Sequence, residues 1–210
     1  MPQSPPDTGE LVDRAAGGDA AARQQLLVRH RARLRRMVAV RLDRRLAARV
    51  DPSDLVQESL VDAARGLDAY LKERPLPFYP WLRQFAVRRL TNLARDHIAV
   101  RKRSVTREEP WELPLPDRSA VALAERLVAS GTSPSGKAMR GEQLDRVREA
   151  MAALDPAYRE VLVLRHLEGM SITEVAAALG ITVAAAKKRH VRALERIRER
   201  LEDERSEGRR

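Results

Sequence analysis

A run of basic side chains near the C-terminal end of the chain has the pattern best suited to binding a polyanion. The segment VAAAKKRHVRAL places small residues first and then lysine and arginine on neighbouring turns of a predicted helix. Small side chains let a helix backbone approach base edges, and lysine and arginine pair with phosphate oxygens or with guanine acceptors. The expected chemistry is therefore reversible DNA recognition. The candidate DNA-contacting residues of this segment are Thr182, Ala185, Lys187, Lys188, Arg189 and Arg192.

The elements around these residues predict a helix-turn-helix. Ser171 and Glu174 form a capping-box pattern that begins a short helix, and Gly180 is placed to end it. Thr182 can then cap a longer helix whose apolar positions recur at steps of three and four residues. In such a motif the second helix lies in the major groove. The alternative is a helical hairpin in a bundle with a solvated basic face.

The sequence offers little material for catalysis or metal binding. It has no cysteine, and His30, His97 and His166 lie at no spacing typical of metal ligands. His190, inside the basic helix, is interpreted as a packing residue at the helix boundary. There is no glycine-rich phosphate loop and no spacing typical of a nucleophile and its base. We therefore predict a protein without enzymatic activity, metal or cofactor.

A second pattern begins a helix in the first half of the chain. Residues 51–58 read DPSDLVQE, in which Asp51 can cap the free amides and Pro52 suits the first helical position. Asp54 complements the positive end of the helix dipole. The acids in this segment have two interpretations: they bind a basic partner, or they cap the helix and are otherwise solvated.

Aromatic and basic residues follow a proline-containing segment, residues 72–80, that is predicted to be a rigid loop. Phe78, Tyr79 and Trp81 cluster at its end, and a helix is predicted from about residue 81 to residue 100. Trp81 is interpreted as a packing residue in preference to a platform for bases. Residues 83–107 contain eight basic residues and one acid, and residues 29–49 contain nine arginines and one acid. The second set could contact DNA, contact a protein or be solvated.

Composition and charge favour an all-α protein with a polyanionic partner. The formal net charge is +10, and aromatics make up only 3% of the chain, so the cores must consist of aliphatic side chains. Two small helical domains are expected at residues 11–107 and 142–204, joined by a flexible linker at 108–141 that contains prolines, glycines and serines. Neither a secretory signal nor a membrane span is apparent, so a cytoplasmic location without membrane insertion is expected.

Both halves of the chain resemble one family, in the order that the family has. Residues 51–58 resemble the D-x-x-D-L-x-Q-E pattern of bacterial RNA polymerase sigma factors, and residues 78–82, FYPWL, resemble the start of their promoter-melting helix. The basic residues 101–103 resemble the end of that helix. Residues 154–165 resemble the opening of region four, and the helix-turn-helix resembles its promoter-reading segment. The absence of further regions is typical of the extracytoplasmic-function (ECF) type.

This resemblance implies partners and roles for particular residues. It implies that residues 11–107 are a region-two bundle that binds core RNA polymerase, recognises the downstream promoter element and melts promoter DNA, and that residues 142–204 are region four, which reads the upstream element. An anti-sigma factor is a further candidate partner. The implied polymerase-binding residues are Asp51, Asp54, Leu55, Gln57 and Glu58. The implied DNA-binding residues of the first domain are Arg88, Arg95, Arg101, Lys102 and Arg103.

The sequence departs from the family pattern at two places. Many relatives have an asparagine after the Trp-Leu segment, where this chain has Ala86, Val87 and Arg88. The loop at residues 72–77 is longer than usual and lacks the usual turn, so the downstream base preference does not follow from the resemblance. The alternative function is that of a stand-alone helix-turn-helix transcriptional regulator, which would not need the pattern at residues 51–58.

Overall fold

The structure is a computed structural model that describes residues 7–42, 50–101, 115–129 and 137–207. All regular elements within these ranges are helices, which confirms the all-α prediction. The chain divides into two compact units, residues 1–113 and 114–210. The boundaries predicted from composition, at residues 107 and 142, stay a prediction.

The first unit begins with two helices that aspartates cap. Helix α1 spans Thr8–Ala16, and Asp7 accepts a hydrogen bond from the Glu10 backbone N at 2.8 Å. Helix α2 spans Ala20–Arg41, and Asp19 accepts from the Ala22 backbone N at 3.0 Å. Apolar residues that recur at helical spacing in the sequence are all buried in the core: Leu26, Leu34, Met37, Val38 and Leu42.

Two long helices complete the first unit. Helix α3 spans Pro52–Glu73 and begins as predicted, because Asp51 accepts a hydrogen bond from the Ser53 backbone N at 2.7 Å and Pro52 occupies the first turn. It ends at Glu73 and is followed by Arg74, whose backbone is left-handed with a φ of 44°. Helix α4 spans Phe78–Arg101. The core of this unit lies between α3, α4 and α2.

Two expectations for these helices were wrong. The loop is shorter than the predicted 72–80, because α3 continues to Glu73 and α4 begins at Phe78. Proline is tolerated in a first helical turn, where its missing N–H would have no partner, so Pro80 does not delay the helix. Helical spacing alone places Ala64, three residues before Leu67, at the edge of the buried side of α3, but the packing leaves Ala64 exposed.

The second unit consists of shorter helices around an aliphatic core. Its elements are α5 (Asp117–Ala129), α6 (Lys137–Ala152), α7 (Pro156–Leu162), a π-helical turn (Val163–Leu167), α8 (Ile172–Leu179) and α9 (Val183–Glu207). Helix α5 falls inside the predicted linker, and it packs against α6 and the π-helical turn. Leu123 and Ala124 of α5 are fully buried.

In the described ranges, no helix is both long enough and apolar enough to cross a membrane.

Candidate nucleic-acid and partner interfaces

The helix-turn-helix predicted from the sequence is present in the second unit. Ser171 Oγ accepts from the Glu174 backbone N at 3.2 Å, and the Glu174 carboxylate accepts from the Ser171 backbone N at 2.7 Å. Gly180 ends α8 with a φ of 63°, a left-handed conformation that glycine adopts without a steric penalty. Thr182 Oγ1 then accepts from the Ala185 backbone N at 3.1 Å and caps the first turn of α9. These local hydrogen bonds fix the point at which α9 begins.

Helix α9 presents most of the predicted DNA-contacting residues on one exposed face. Ala186, Ala193 and Ile197 hold its opposite side in the core of the second unit. Four of the six predicted side chains are exposed, and the remaining two, Ala185 and Arg189, are partly buried at the edges of the face. The four exposed residues are Thr182, Lys187, Lys188 and Arg192. Two valines are also exposed on α9, Val183 at 37% and Val191 at 51%.

A histidine pair joins α9 to the π-helical turn behind this face. Nε2 of His166 lies 3.0 Å from Nε2 of His190, and the two rings stack with their centroids 5.3 Å apart. One nitrogen must donate and the other accept, so the contact needs a proton on one Nε2 only. Burial, followed by the neighbouring imidazole and by Arg165 and Arg126, lowers the pKa of His166 to about 4, and burial also lowers the pKa of His190. The pair therefore packs as neutral imidazoles at neutral pH.

His190 has the packing role that the sequence favoured, but its partner was not foreseen. The two histidines are 24 residues apart and lie on different elements, so no local spacing signals the pair. Throughout the part of the chain that the structure describes, no group of three or more histidines, aspartates, glutamates or cysteines is arranged to hold a metal ion.

The acidic segment forms an exposed surface at the N-terminal end of α3. The side chains of Asp54, Gln57 and Glu58 are exposed, and Asp51 caps the helix beside them. Leu55 differs from the other predicted polymerase-binding residues, because it is only 5% exposed and packs into the core of the unit. The small exposed part of the Leu55 side chain lines an open groove together with Asp54, Glu58 and residues of α4.

An arginine that the sequence did not single out ties this acidic surface to α4. The Arg89 guanidinium donates to Asp62 through Nε, at 3.0 Å, and also through one terminal nitrogen. Its other terminal nitrogen donates to Oε2 of Glu58. These residues lie 27 and 31 positions apart, and only the packing of α3 on α4 brings them together.

The predicted basic residues of the first unit lie along α4 and beyond it. Arg88 is exposed and stacks 4.8 Å above the Phe85 ring, and Arg95 is also exposed. Arg101 is the last residue of α4, whereas Lys102 and Arg103 fall outside the described residues.

The aromatic cluster at the start of α4 is part of the core. Phe78, Tyr79 and Trp81 are at most 9% exposed. The Trp81 ring lies 4.5 Å from Tyr70 and 5.5 Å from Phe78, measured between centroids. The packing interpretation of Trp81 is therefore confirmed, and these rings are not free to stack on bases.

Helix α2 carries exposed arginines on its outer side. Arg29, Arg31, Arg35 and Arg36 are exposed, whereas Arg41 is buried. Arg33 lies 3.6 Å above the ring of Tyr79 and so contributes to packing. Within this helix, therefore, only some of the arginines counted in the sequence contribute to an exposed basic surface.

Comparisons with known proteins identify the family of the chain. The model of sigma-70 region 4 matches residues 144–197, which include the helix-turn-helix. The chain is 33% identical over 164 residues to the probable RNA polymerase sigma factor RfaY of Xanthomonas campestris, an alignment that covers 78% of this chain and 36% of that protein. It is 29% identical over 192 residues to the ECF RNA polymerase sigma-E factor of Salmonella typhimurium, covering 89% of this chain and 90% of that protein.

A solved structure is similar across both units. It is the structure of CnrH in complex with the cytosolic domain of CnrY, and CnrH matches with 26% identity and a TM-score of 0.50 over 92% of this chain and 96% of that one. The alternative prediction of a stand-alone helix-turn-helix regulator finds no support, since the sigma-E alignment spans 89% of the chain and not the helix-turn-helix alone. The chain belongs to the sigma-70 family of RNA polymerase sigma factors, in its extracytoplasmic-function group.

Proposed function

We propose that this protein binds core RNA polymerase, directs it to specific promoters and assists DNA opening, with no catalysis of its own. The observation that carries the proposal is the capped helix-turn-helix, whose second helix exposes Lys187, Lys188 and Arg192 on one face. The family assignment supplies the polymerase as the partner. The proposed working parts are a region-two domain at residues 11–107, a linker at 108–141 and a region-four domain at 142–204.

The exposed face of α9 is proposed to read the upstream promoter element. Thr182 and Ala185 lie in the first turn, where the helix backbone can come nearest to the base edges. Lys187 and Lys188 follow on the next turn, within reach of guanine acceptors or phosphates. Arg189 and Arg192, three residues apart, lie on the same side of α9, and we assign them to phosphate oxygens. Such contacts release counterions, so binding should weaken steeply with salt.

The N-terminal end of α3 is proposed to dock on the polymerase. Asp54, Gln57 and Glu58 present two carboxylates and an amide to a basic partner surface, and Asp51 stabilises the helix end that carries them. Leu55 would contribute through the edge that lines the groove, because the rest of its side chain is buried. A charged docking surface favours fast and specific association more than it adds affinity.

The basic face of α4 is proposed to hold promoter DNA as the duplex opens. The residues assigned to this role are Arg88, Arg95, Arg101, Lys102 and Arg103. Since the aromatic rings at the start of α4 are buried, we expect these cations to follow the phosphate backbone in place of a stacking platform. The opening step then depends on charge more than on base stacking.

A partner that holds the protein inactive is also proposed. The solved relative CnrH is bound to the cytosolic domain of CnrY. By analogy, an anti-sigma factor would cover the polymerase-docking or DNA-binding surfaces of this chain in the bacterial cytoplasm. Such a factor would have to compete with the polymerase for the same protein.

Reconstituted transcription tests the proposed function. The tagged protein is mixed with bacterial core RNA polymerase and genomic DNA fragments, and run-off transcripts are mapped with and without it. We expect a stable complex with the polymerase and new start sites that depend on the protein. Tight binding to duplex DNA without any binding to the polymerase would refute the proposal and favour a stand-alone regulator.

A further inference from the structure

One guanidinium beneath the acidic surface of α3 contacts Glu58, which belongs to that surface, and Asp62, one helical turn further along. Arg89 of α4 donates to Asp62 with two nitrogens and to Glu58 with the third. Arg89 and Asp62 are each about one third exposed, whereas Glu58 is 60% exposed. Asp62 thus anchors the arginine near the protein interior, and the arginine in turn holds the carboxylate that points furthest into solvent.

The contact leaves Glu58 able to bind a partner. Arg89 reaches only Oε2 of Glu58, so Oε1 can still accept a hydrogen bond. A free glutamate side chain loses rotamer freedom when it docks, and a side chain that is already held loses less. The planar guanidinium suits this task, because its fixed fork spans two carboxylates at once, which a lysine ammonium cannot do with the same geometry.

We propose that Arg89 is a positioning residue of the polymerase-docking surface, which acts by holding Glu58 in its docking orientation. The inference rests on the proposed function, because it requires that Glu58 contacts the polymerase. It adds a residue from a second helix to a surface that the sequence pattern confines to residues 51–58. It also makes the packing of α4 on α3 a condition for tight docking.

A double-mutant cycle tests the proposal. The dissociation constant for bacterial core RNA polymerase is measured for the full chain, for Arg89→Ala, for Glu58→Gln and for the double variant. We expect Arg89→Ala to weaken binding by about three- to tenfold, which corresponds to the rotamer freedom of one long side chain. In the Glu58→Gln background the same change should cost less than about twofold, because there is no longer a carboxylate to hold.

Arg23→Ala is the matched control. Arg23 lies on α2, has an exposure similar to that of Arg89 and pairs with Asp68, further along α3. This variant loses one arginine and one ion pair to the same helix, so it reports what a general loss of charge or of stability does to polymerase affinity. We expect its affinity to equal that of the unmodified chain.

Each other outcome overturns the proposal in a recognisable way. Equal losses from Arg89→Ala in both backgrounds would indicate that Arg89 touches the polymerase itself. If the losses of polymerase affinity parallel decreases in the midpoint of thermal unfolding, and Arg23→Ala shows the same loss, Arg89 has a structural role. If Arg89→Ala leaves affinity unchanged while Glu58→Gln weakens it, only the positioning role fails. If Glu58→Gln has no effect, the docking surface of the proposed function fails with it.

Discussion

Acidification should loosen the second unit through its histidine pair. The folded chain holds the pKa of His166 at about 4, against an ordinary value near 6.5. Between these values the unfolded chain binds a proton that the folded chain does not, so lowering the pH favours unfolding. The stabilisation from the neutral imidazole is therefore complete above about pH 6.5 and is lost as the pH falls toward 4.

The size of the effect follows from the difference between the two pKa values. From about pH 7 to about pH 5, protonation of the unfolded imidazole alone would lower the free energy of unfolding by about 2 kcal/mol. Because His166 is only partly buried, solvent screening reduces this to about 1 kcal/mol. Carboxylates titrate mainly below this range, so the histidine contribution can be measured separately.

Hydrogen exchange read by mass spectrometry measures this effect in one unit at a time. The protection of amides in α7 and α9, corrected for the intrinsic exchange rate at each pH, gives the free energy of unfolding of the second unit. The control is His166→Gln, which removes one of the two titrating rings and should make the dependence on pH shallower, leaving the part that comes from His190. Equal slopes for both proteins, or no slope in the unmodified chain, would refute the reasoning.

Three further predictions concern the two surfaces and the turn between the helices. Lys187→Ala should weaken promoter binding by about 1 to 3 kcal/mol if the lysine reads a base. If the lysine contacts phosphate instead, the loss should be smaller and the salt dependence of binding should become shallower. Unchanged binding and transcription would argue against the recognition face. Glu58→Lys should reduce affinity for core polymerase without altering the helical circular dichroism, whereas Glu73→Lys, at the other end of α3, should bind normally. Gly180→Ala should destabilise the second unit by about 1 kcal/mol in chemical denaturation, because alanine is strained at its positive φ. Gly141→Ala is the matched control, since a Cβ there also meets open space but with no positive φ, and it should leave stability equal or higher.

Local signals in the sequence were sufficient to predict where most helices begin. Each of these signals determines the backbone of only the few residues around it. They are the aspartate and proline at residues 51–52, the capping box at residues 171–174 and the glycine at residue 180. Their effect does not depend on the rest of the fold, so the helix-turn-helix and the start of α3 could be placed from the sequence alone. Aliphatic spacing likewise identified the buried stripes of α2 and most of that of α9.

Contacts between helices could not be predicted in the same way. Arg89 meets Glu58, and His166 meets His190, only because two helices pack at one particular rotation and register. A change of one residue in either register would bring different side chains together, and the sequence pattern does not fix the register that closely. The same dependence explains Ala64, which the helical spacing placed at the edge of the apolar face and the packing left exposed.

Helix α5 has a practical consequence for the preparation of fragments. A fragment that begins at residue 142, where the second domain is predicted to start, would lack Leu123 and Ala124, which are fully buried. The apolar surface that α5 covers on α6 and the π-helical turn would then face water, and exposed apolar patches promote aggregation. A fragment that begins at residue 114 keeps this cover. We therefore expect the longer fragment to stay monodisperse in size-exclusion chromatography at concentrations where the shorter one self-associates.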